Sequence, residues 1–277
     1  RFRLARRSMK RQARQLKNYP RGAENILTPT IKPNRYRPSL AKYGPRLVHL
    51  HWLSGGVVDF QELLFLKVPV VWTLHDTWAF TGGCHYTGDC KSYEALCGAC
   101  PQLGSPSDTD ITRQLMKAKI LAYARIDFTI VTPSRWLADV AASSTLFAGR
   151  RIEVIPNGLD TATFSPIDKE VARLRLGLPD KRPIILFGAQ RVFDKRKGLD
   201  LLIEAISKIK IDCTLVAFGE GDMNLDLGSH VKIVSLGTVT QEEQLALAYS
   251  AADVFVCASR EDNLPNTVAE ALSCGTP

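Results

Sequence analysis

The 277 residues are 45% hydrophobic and 23% charged, enough to bury one large core or two modest ones and outside the disordered and fibrous classes. No apolar run reaches the roughly 18 to 20 residues of a membrane-spanning helix, and the start is not a signal peptide, so a cytoplasmic chain is expected. The net charge of +8 is concentrated at one end: residues 1–46 hold fourteen Lys and Arg against Glu24 alone, a balance of +13 that leaves the remainder near −5.

Along residues 1–18, Phe2, Ala5, Met9, Ala13 and Leu16 recur at helical spacing between the cations. That pattern fits a solvated surface helix or a basic amphipathic helix lying on an anionic membrane surface. No aromatic-studded or recognition-helix pattern accompanies the charge, so no nucleic acid partner is expected.

Short β-branched runs at residues 47–52, 68–74 and 126–132 predict buried strands, and residues 111–124 predict a helix. A turn-rich stretch, Ile155-Pro156-Asn157-Gly158-Leu159-Asp160, then precedes a fresh series. In that series strands are predicted at 184–187, 214–218, 231–236 and 253–258, with helices at 199–209, 242–250 and 265–274. Strands alternating with helices imply parallel sheets covered on both faces. The expected domains are 1–156 and 157–277, divided at the turn. Gly275-Thr276-Pro277 reads as a helix cap leading into a further strand, and no Met stands at position 1, so a piece of a longer chain is expected.

In the first half, Val70-Val71-Trp72-Thr73-Leu74 runs into His75-Asp76, and ligands of open α/β sheets bind beyond the carboxyl ends of strands. In the second half the order is Phe187-Gly188-Ala189, a basic stretch from Arg191 to Lys197, and Gly198-Leu199-Asp200-Leu201-Leu202. There follow Val216-Ala217-Phe218-Gly219-Glu220-Gly221 and then Ser259-Arg260-Glu261-Asp262-Asn263-Leu264-Pro265-Asn266-Thr267-Val268-Ala269-Glu270. Backbone N–H groups at a helix start, with Lys or Arg nearby, suit a diphosphate. Pro265 is tolerated in such a first turn. Gly219-x-Gly221 lacks the third glycine of a dinucleotide fingerprint and reads as a turn.

This ordered set closely resembles glycosyltransferase family 4, from about Val48 onward. The resemblance implies a GT-B fold, α/β with two Rossmann-like domains whose parallel sheets face a cleft, both incomplete here. It implies a retaining transferase that moves a sugar from a UDP- or GDP-linked nucleotide-sugar donor to a lipid-linked or oligosaccharide acceptor, with no cofactor required for catalysis. The family's acidic pair, two glutamates eight positions apart, falls on Asp262 and Glu270, with Asp a departure at the first position. By resemblance Glu270 binds ribose hydroxyls, and His75 contacts the donor sugar. Arg191 and Lys197 are placed on the diphosphate, with Asn263, Asn266 and Thr267 at the helix opening. His75, Lys197 and Asp262 form the expected catalytic set.

Gly82-Gly83-Cys84-His85-Tyr86 through Cys90, Cys97 and Cys100-Pro101-Gln102-Leu103 is similar to a narrower subgroup, the colanic-acid-type transferases. Cys97-x-x-Cys100 has a zinc-knuckle gap, and Cys84 with Cys90 complete a candidate four-thiolate structural zinc site. A redox-labile disulfide and plain structural thiols stay open beside it. Cys213, Cys257 and Cys274 read as core.

Two rivals are weighed. A glycoside hydrolase using Asp262 and Glu270 is disfavoured: eight helical residues put them about 12 Å apart, whereas that chemistry wants about 5 to 9.5 Å. A non-catalytic nucleotide-sugar-binding or scaffold protein of the same fold is the alternative.

Overall fold

The computed structural model describes residues 14–21, 27–28, 40–54, 63–65, 67–179 and 181–277. Most of the basic segment expected to form an amphipathic helix lies outside the described residues; within it, residues 14–16 are helical. The chain divides into two compact units, Arg1–Pro156 and Asn157–Pro277. Among the described residues no helix is long and apolar enough to cross a membrane.

The first unit holds four parallel strands in chain order: β1 (Val48–Leu50), β2 (Val70–Thr73), β3 (Phe128–Thr132) and β4 (Ile152–Val154). β4 escapes the sequence reading because it is a short strand with no fully buried residue, which leaves little apolar signal. Among the described residues, α1 (Ile111–Tyr123) and α2 (Arg135–Ala142) pack here. Asp110 caps α1 by accepting from the Thr112 and Arg113 amides, and Ser134 caps α2 through the Leu137 amide, each satisfying donors that a helix start leaves orphaned. The core is aromatic. Trp72 of β2 meets Tyr123, Phe128 and Phe147 with ring centroids 5.4 to 6.0 Å apart.

Lys119, on the inner face of α1, is fully buried. Its ammonium donates to the carbonyls of Thr81, at 2.9 Å, and Trp78, and lies 3.9 Å over the Trp78 ring. Burial pushes its amine down from 10.5 to about 7, with Cys84, Cys97 and Asp76 pulling the other way. This buried cation ties α1 to the loop that follows β2.

The second unit has α3 (Lys169–Leu176), β5 (Ile184–Arg191), α4 (Leu199–Ser207), β6 (Cys213–Glu220), β7 (Val231–Ser235), α5 (Glu242–Ala251), β8 (Val254–Phe255) and α6 (Asn266–Ser273). All four strands are parallel, in the order β7-β6-β5-β8. β6 is buried along all but its last residue, as a central strand covered on both faces must be. On α4, Leu199, Leu202 and Ile206 are buried, an apolar stripe at helical spacing.

β8 is much shorter than the predicted 253–258: after the Val256 amide bonds to the Leu186 carbonyl, the chain leaves the sheet. Cys257 therefore stands exposed, against the expectation of a core residue, while Cys213 and Cys274 are buried. Helix α6 opens at Asn266, so Pro265 is its N-cap residue and lies just before the first turn.

Candidate functional site

In the second unit β5, β6 and β7 follow one another to one side, and β8 returns on the other side of β5. The reversal falls between β5 and β8, and the carboxyl ends of the strands flanking such a reversal open a crevice where ligands of α/β sheets bind. The sequence places its charged motifs there. β5 ends at Arg191, exposed beside the sheet, and runs into a tight turn, Lys195–Lys197. β8 leads through Ser259 to Asp262 and into α6.

Lys197 and Asp262 meet directly, Nζ to Oδ2, at 2.5 Å. Arg196 lies 3.5 Å from the same oxygen and donates to the Glu261 carbonyl at 2.9 Å. The Ser259 hydroxyl donates to Asp262 at 3.3 Å, and the Asn263 amide to its other oxygen at 3.1 Å. A second pair staples the same two segments: Arg260 holds both oxygens of Asp200, at 2.8 and 2.7 Å, and the Lys195 carbonyl. Gly198 permits this closeness. It adopts φ 74, and a Cβ there would stand 2.0 Å from the Ala258 carbonyl oxygen.

Along α6, Asn157 donates its side-chain amide to Asn266 Oδ1 at 2.9 Å, Thr267 is half-buried, and no side chain caps the helix start. The first amides of a helix carry the positive end of its dipole. Glu270, on the first turns of α6, accepts a 2.7 Å hydrogen bond from Tyr249, a fully buried side chain of α5. Burial raises the Glu270 carboxyl above its ordinary value, the Tyr249 bond opposes that, and Glu242 adds to it. Tyr249 was not singled out by the sequence; its signal is only that of an aromatic on a helix whose second half is buried. Tyr249→Phe is expected to leave a half-buried carboxylate one donor short, costing about 1 to 3 kcal/mol of stability. Chemical denaturation checks it, and a midpoint within error of wild type would show that the bond holds nothing.

In the first unit His75 stands just past the carboxyl end of β2, half-buried. Its Nε2 lies 2.9 Å from Nδ1 of His51, which follows β1. One rung earlier, His49 Nε2 meets the Thr73 hydroxyl at 2.8 Å. The Trp52 indole stacks on His75, rings 5.3 Å apart and within 2° of parallel. Burial lowers His75 first, then the neighbouring charge of His51, against Asp76, with His49 acting in the lowering direction. Buried Asp76 turns the other way, bonding His85 Nδ1 at 2.7 Å and the Trp78 amide at 2.8 Å. The sequence reading missed His49, His51 and Trp52. The legible signal was an H-x-H at one strand end facing T-x-H at the next, both with the period of two that puts residues on one face of a sheet.

Cys84, Cys90, Cys97 and Cys100 line one apolar pocket with Gly82, Tyr93 and Thr112. Each of three thiols is turned to its own partner: Cys84 to Thr81, Cys97 to the Gly82 amide, Cys100 to the Gln102 and Leu103 amides. Burial pushes Cys84 up to about 12 and Cys97 to about 11, favouring the protonated thiols. Among the described residues no three His, Cys, Asp or Glu side chains are placed to hold a metal ion.

Comparisons with known proteins bear on both units. The profile described as Glycosyltransferase Family 4 matches residues 4–163, and that described as Glycosyl transferases group 1 matches residues 182–277. The chain is 30% identical, over 87% of its length and 61% of the relative's, to the putative colanic acid biosynthesis glycosyl transferase WcaC of Escherichia coli. It superposes on sucrose-phosphate synthase from Thermosynechococcus elongatus with a TM-score of 0.61 and 26% identity, covering 86% of this chain and 56% of that one. Anabaena Alr3699/HepE, solved with UDP-glucose, gives a TM-score of 0.56 at 17% identity, over 84% of this chain and 58% of that one. The chain spans about three-fifths of the length of these proteins. With two Rossmann-like parallel α/β units and a family match across more than half its length, the chain belongs to glycosyltransferase family 4, of the GT-B class.

Proposed function

We propose that the whole protein transfers a sugar, with retention, from a UDP- or GDP-linked donor to a lipid-linked or oligosaccharide acceptor in surface polysaccharide assembly. The observation that carries it is the Lys197–Asp262 pair at the β5/β8 reversal, beside the uncapped start of α6. The printed name of the Escherichia coli relative concerns colanic acid, and a protein of the same fold binds UDP-glucose. Both support the reading.

In this reading Lys197 exchanges its Asp262 partner for the diphosphate, with Arg191, Asn263 and the α6 amides at Asn266 and Thr267 sharing the charge. Negative charge grows on the leaving diphosphate oxygen as the glycosidic bond breaks, so these donors stabilise the transition state more than the bound donor. In this reading catalysis requires no cofactor. Glu270 takes the ribose hydroxyls, and His75 of the first unit takes the donor sugar. The +13 segment is assigned to an anionic membrane surface, which brings the enzyme to a lipid-linked acceptor.

The test is His75→Ala in the full-length protein, assayed for transfer and for calorimetric binding of nucleoside diphosphates. Turnover is expected to fall by about a hundredfold, with nucleotide affinity within about twofold of wild type. Equal losses in both would remove His75 from the sugar. Nucleotide binding with no turnover by the wild-type protein, whichever sugar is supplied, would favour the scaffold reading.

A further inference from the structure

Tyr249 of α5 is fully buried, and its ring is boxed in by other rings. Phe255 of β8 and Phe218 of β6 meet it edge to face, with centroids 5.5 and 5.8 Å away, and Phe164 adds a third ring at 6.4 Å. Gly188 of β5 leaves the space for Phe218, since a Cβ there would stand 2.0 Å from that ring. The Tyr249 backbone is tied too, its carbonyl accepting from the Thr276 hydroxyl at 2.7 Å. Close-packed aromatic contacts of this kind leave a ring one orientation, so the core fixes where the phenol oxygen stands.

That hydroxyl donates to Glu270 Oε2 at 2.7 Å, and Oε1 has no partner among the described residues. A flexible carboxylate is thus held at one oxygen by a rigid donor. An ionised carboxylate accepts hydrogen bonds at both oxygens, whereas a protonated one turns an acceptor into a donor. Burial raises the Glu270 carboxyl, the Tyr249 bond opposes that, and Glu242 of α5 adds to it. Cys274, at the end of α6, is the other titratable group coupled to Glu270. The phenol itself is pushed well up, by burial first and then by Glu270 and Cys274, so Tyr249 stays a donor.

We propose that Tyr249 is a positioning residue for nucleotide recognition: its hydroxyl keeps the Glu270 carboxylate ionised and in one orientation, so that the site prefers a ribonucleoside diphosphate to its 2′-deoxy or 3′-deoxy form. The glutamate is ordered on folding, and that entropy is not lost again on binding. The inference rests on the reading that Glu270 takes the ribose hydroxyls, and extends it to a residue that touches no ligand.

The experiment is calorimetric binding of UDP and GDP to the full-length protein near neutral pH, each beside its 2′-deoxy and 3′-deoxy forms. The readout is the ratio of deoxy to ribo Kd, in which the diphosphate contacts and the titration of the diphosphate cancel. In the wild type this ratio should be about ten to a hundred for at least one deoxy form. As the pH falls it should fade before the ordinary carboxyl value of 4.5 is reached, because the folded value is raised. Tyr249→Phe keeps the boxed ring and removes only the hydroxyl. Its ratio should drop by about threefold or more, and the acid loss should begin at higher pH, since a donor favouring the charged form is gone. A purely structural tyrosine would weaken ribo and deoxy forms alike, so an unchanged ratio would overturn the proposal. If Tyr249→Phe does not fold, wild-type protein carrying 3-fluorotyrosine replaces it: the more acidic phenol is a stronger donor, so the ratio should rise, and a constant ratio there overturns the proposal equally. Tyr249→Phe combined with Glu270→Gln should match Glu270→Gln alone, because the tyrosine acts through the carboxylate. A wild-type ratio in Glu270→Gln, or no binding of either nucleotide, would sink the ribose reading itself; a ratio lost in Glu270→Gln but kept in Tyr249→Phe would sink only the role of Tyr249.

Discussion

Lys197→Ala and Glu270→Gln are expected to fail in different ways. In the proposed reading Lys197 faces the group whose charge changes during reaction, so its loss should lower kcat by about ten- to a hundredfold, more than it weakens nucleotide binding. Glu270 is assigned to ribose hydroxyls whose charge does not change, so its loss should weaken ground state and transition state alike, raising Kd for the nucleoside diphosphate by about the same factor. Kinetics and calorimetry on the full-length protein separate the two. The structure sharpens the Lys197 case, because removing the cation leaves Asp262 with Arg196, at 3.5 Å, as its remaining cation beside the Ser259 and Asn263 hydrogen bonds. Lys197→Ala combined with Asp262→Asn should therefore bind nucleotide better than Lys197→Ala alone. Wild-type turnover and affinity in all these variants would remove the donor site from this helix and loop.

The second large effect is on stability. Lys119 titrates at about 7 in the folded chain and at 10.5 when unfolded. Between those values the unfolded chain binds the extra proton, so raising the pH favours the fold by up to about 1.4 kcal/mol per unit. Cys84 and Cys97 act oppositely, but only as the pH passes the unfolded thiol value of 9 toward their folded values of about 12 and 11. The clean window is therefore pH 7 to 9. There the melting temperature of the first unit should climb by roughly 5 to 10 °C. Lys119→Met keeps the buried stem and removes the titration, so its melting temperature should rise less over the same range. An equal rise in the variant would place the pH dependence elsewhere.

Much of this arrangement was legible in the sequence, because strongly apolar, β-branched runs flanked by turn residues identify buried strands such as β5 and β6. Weakly buried or short elements were not. β4 lacks a buried face, and α2 and α3 are helices of only eight residues, too short for a helical period to stand out. The motif around Lys197 and Asp262 was readable as chemistry, but their ion pair was not, since it joins residues 65 positions apart through the strand order. The His51–His75 contact was hidden for the same reason. Sequence places a histidine at a strand end, and only the pairing of β1 with β2 shows that another histidine meets it. The thiols mark another limit: their spacing alone does not show that all four line one apolar pocket.

The pairing of Lys197 with Asp262 also sets what the site can tell apart. A ligand entering there does not meet a bare cation; it must outcompete a carboxylate already in place and supported by Ser259 and the Asn263 amide. A phosphate ester bearing a single charge would exchange one monoanion for another and gain little. A diphosphate, with a second charge spread over more oxygens, can reach Lys197, Arg191 and the α6 amides together and supply the surplus. In the proposed donor-site reading, the internal carboxylate would act as a threshold that admits nucleoside diphosphates and leaves weakly charged metabolites outside.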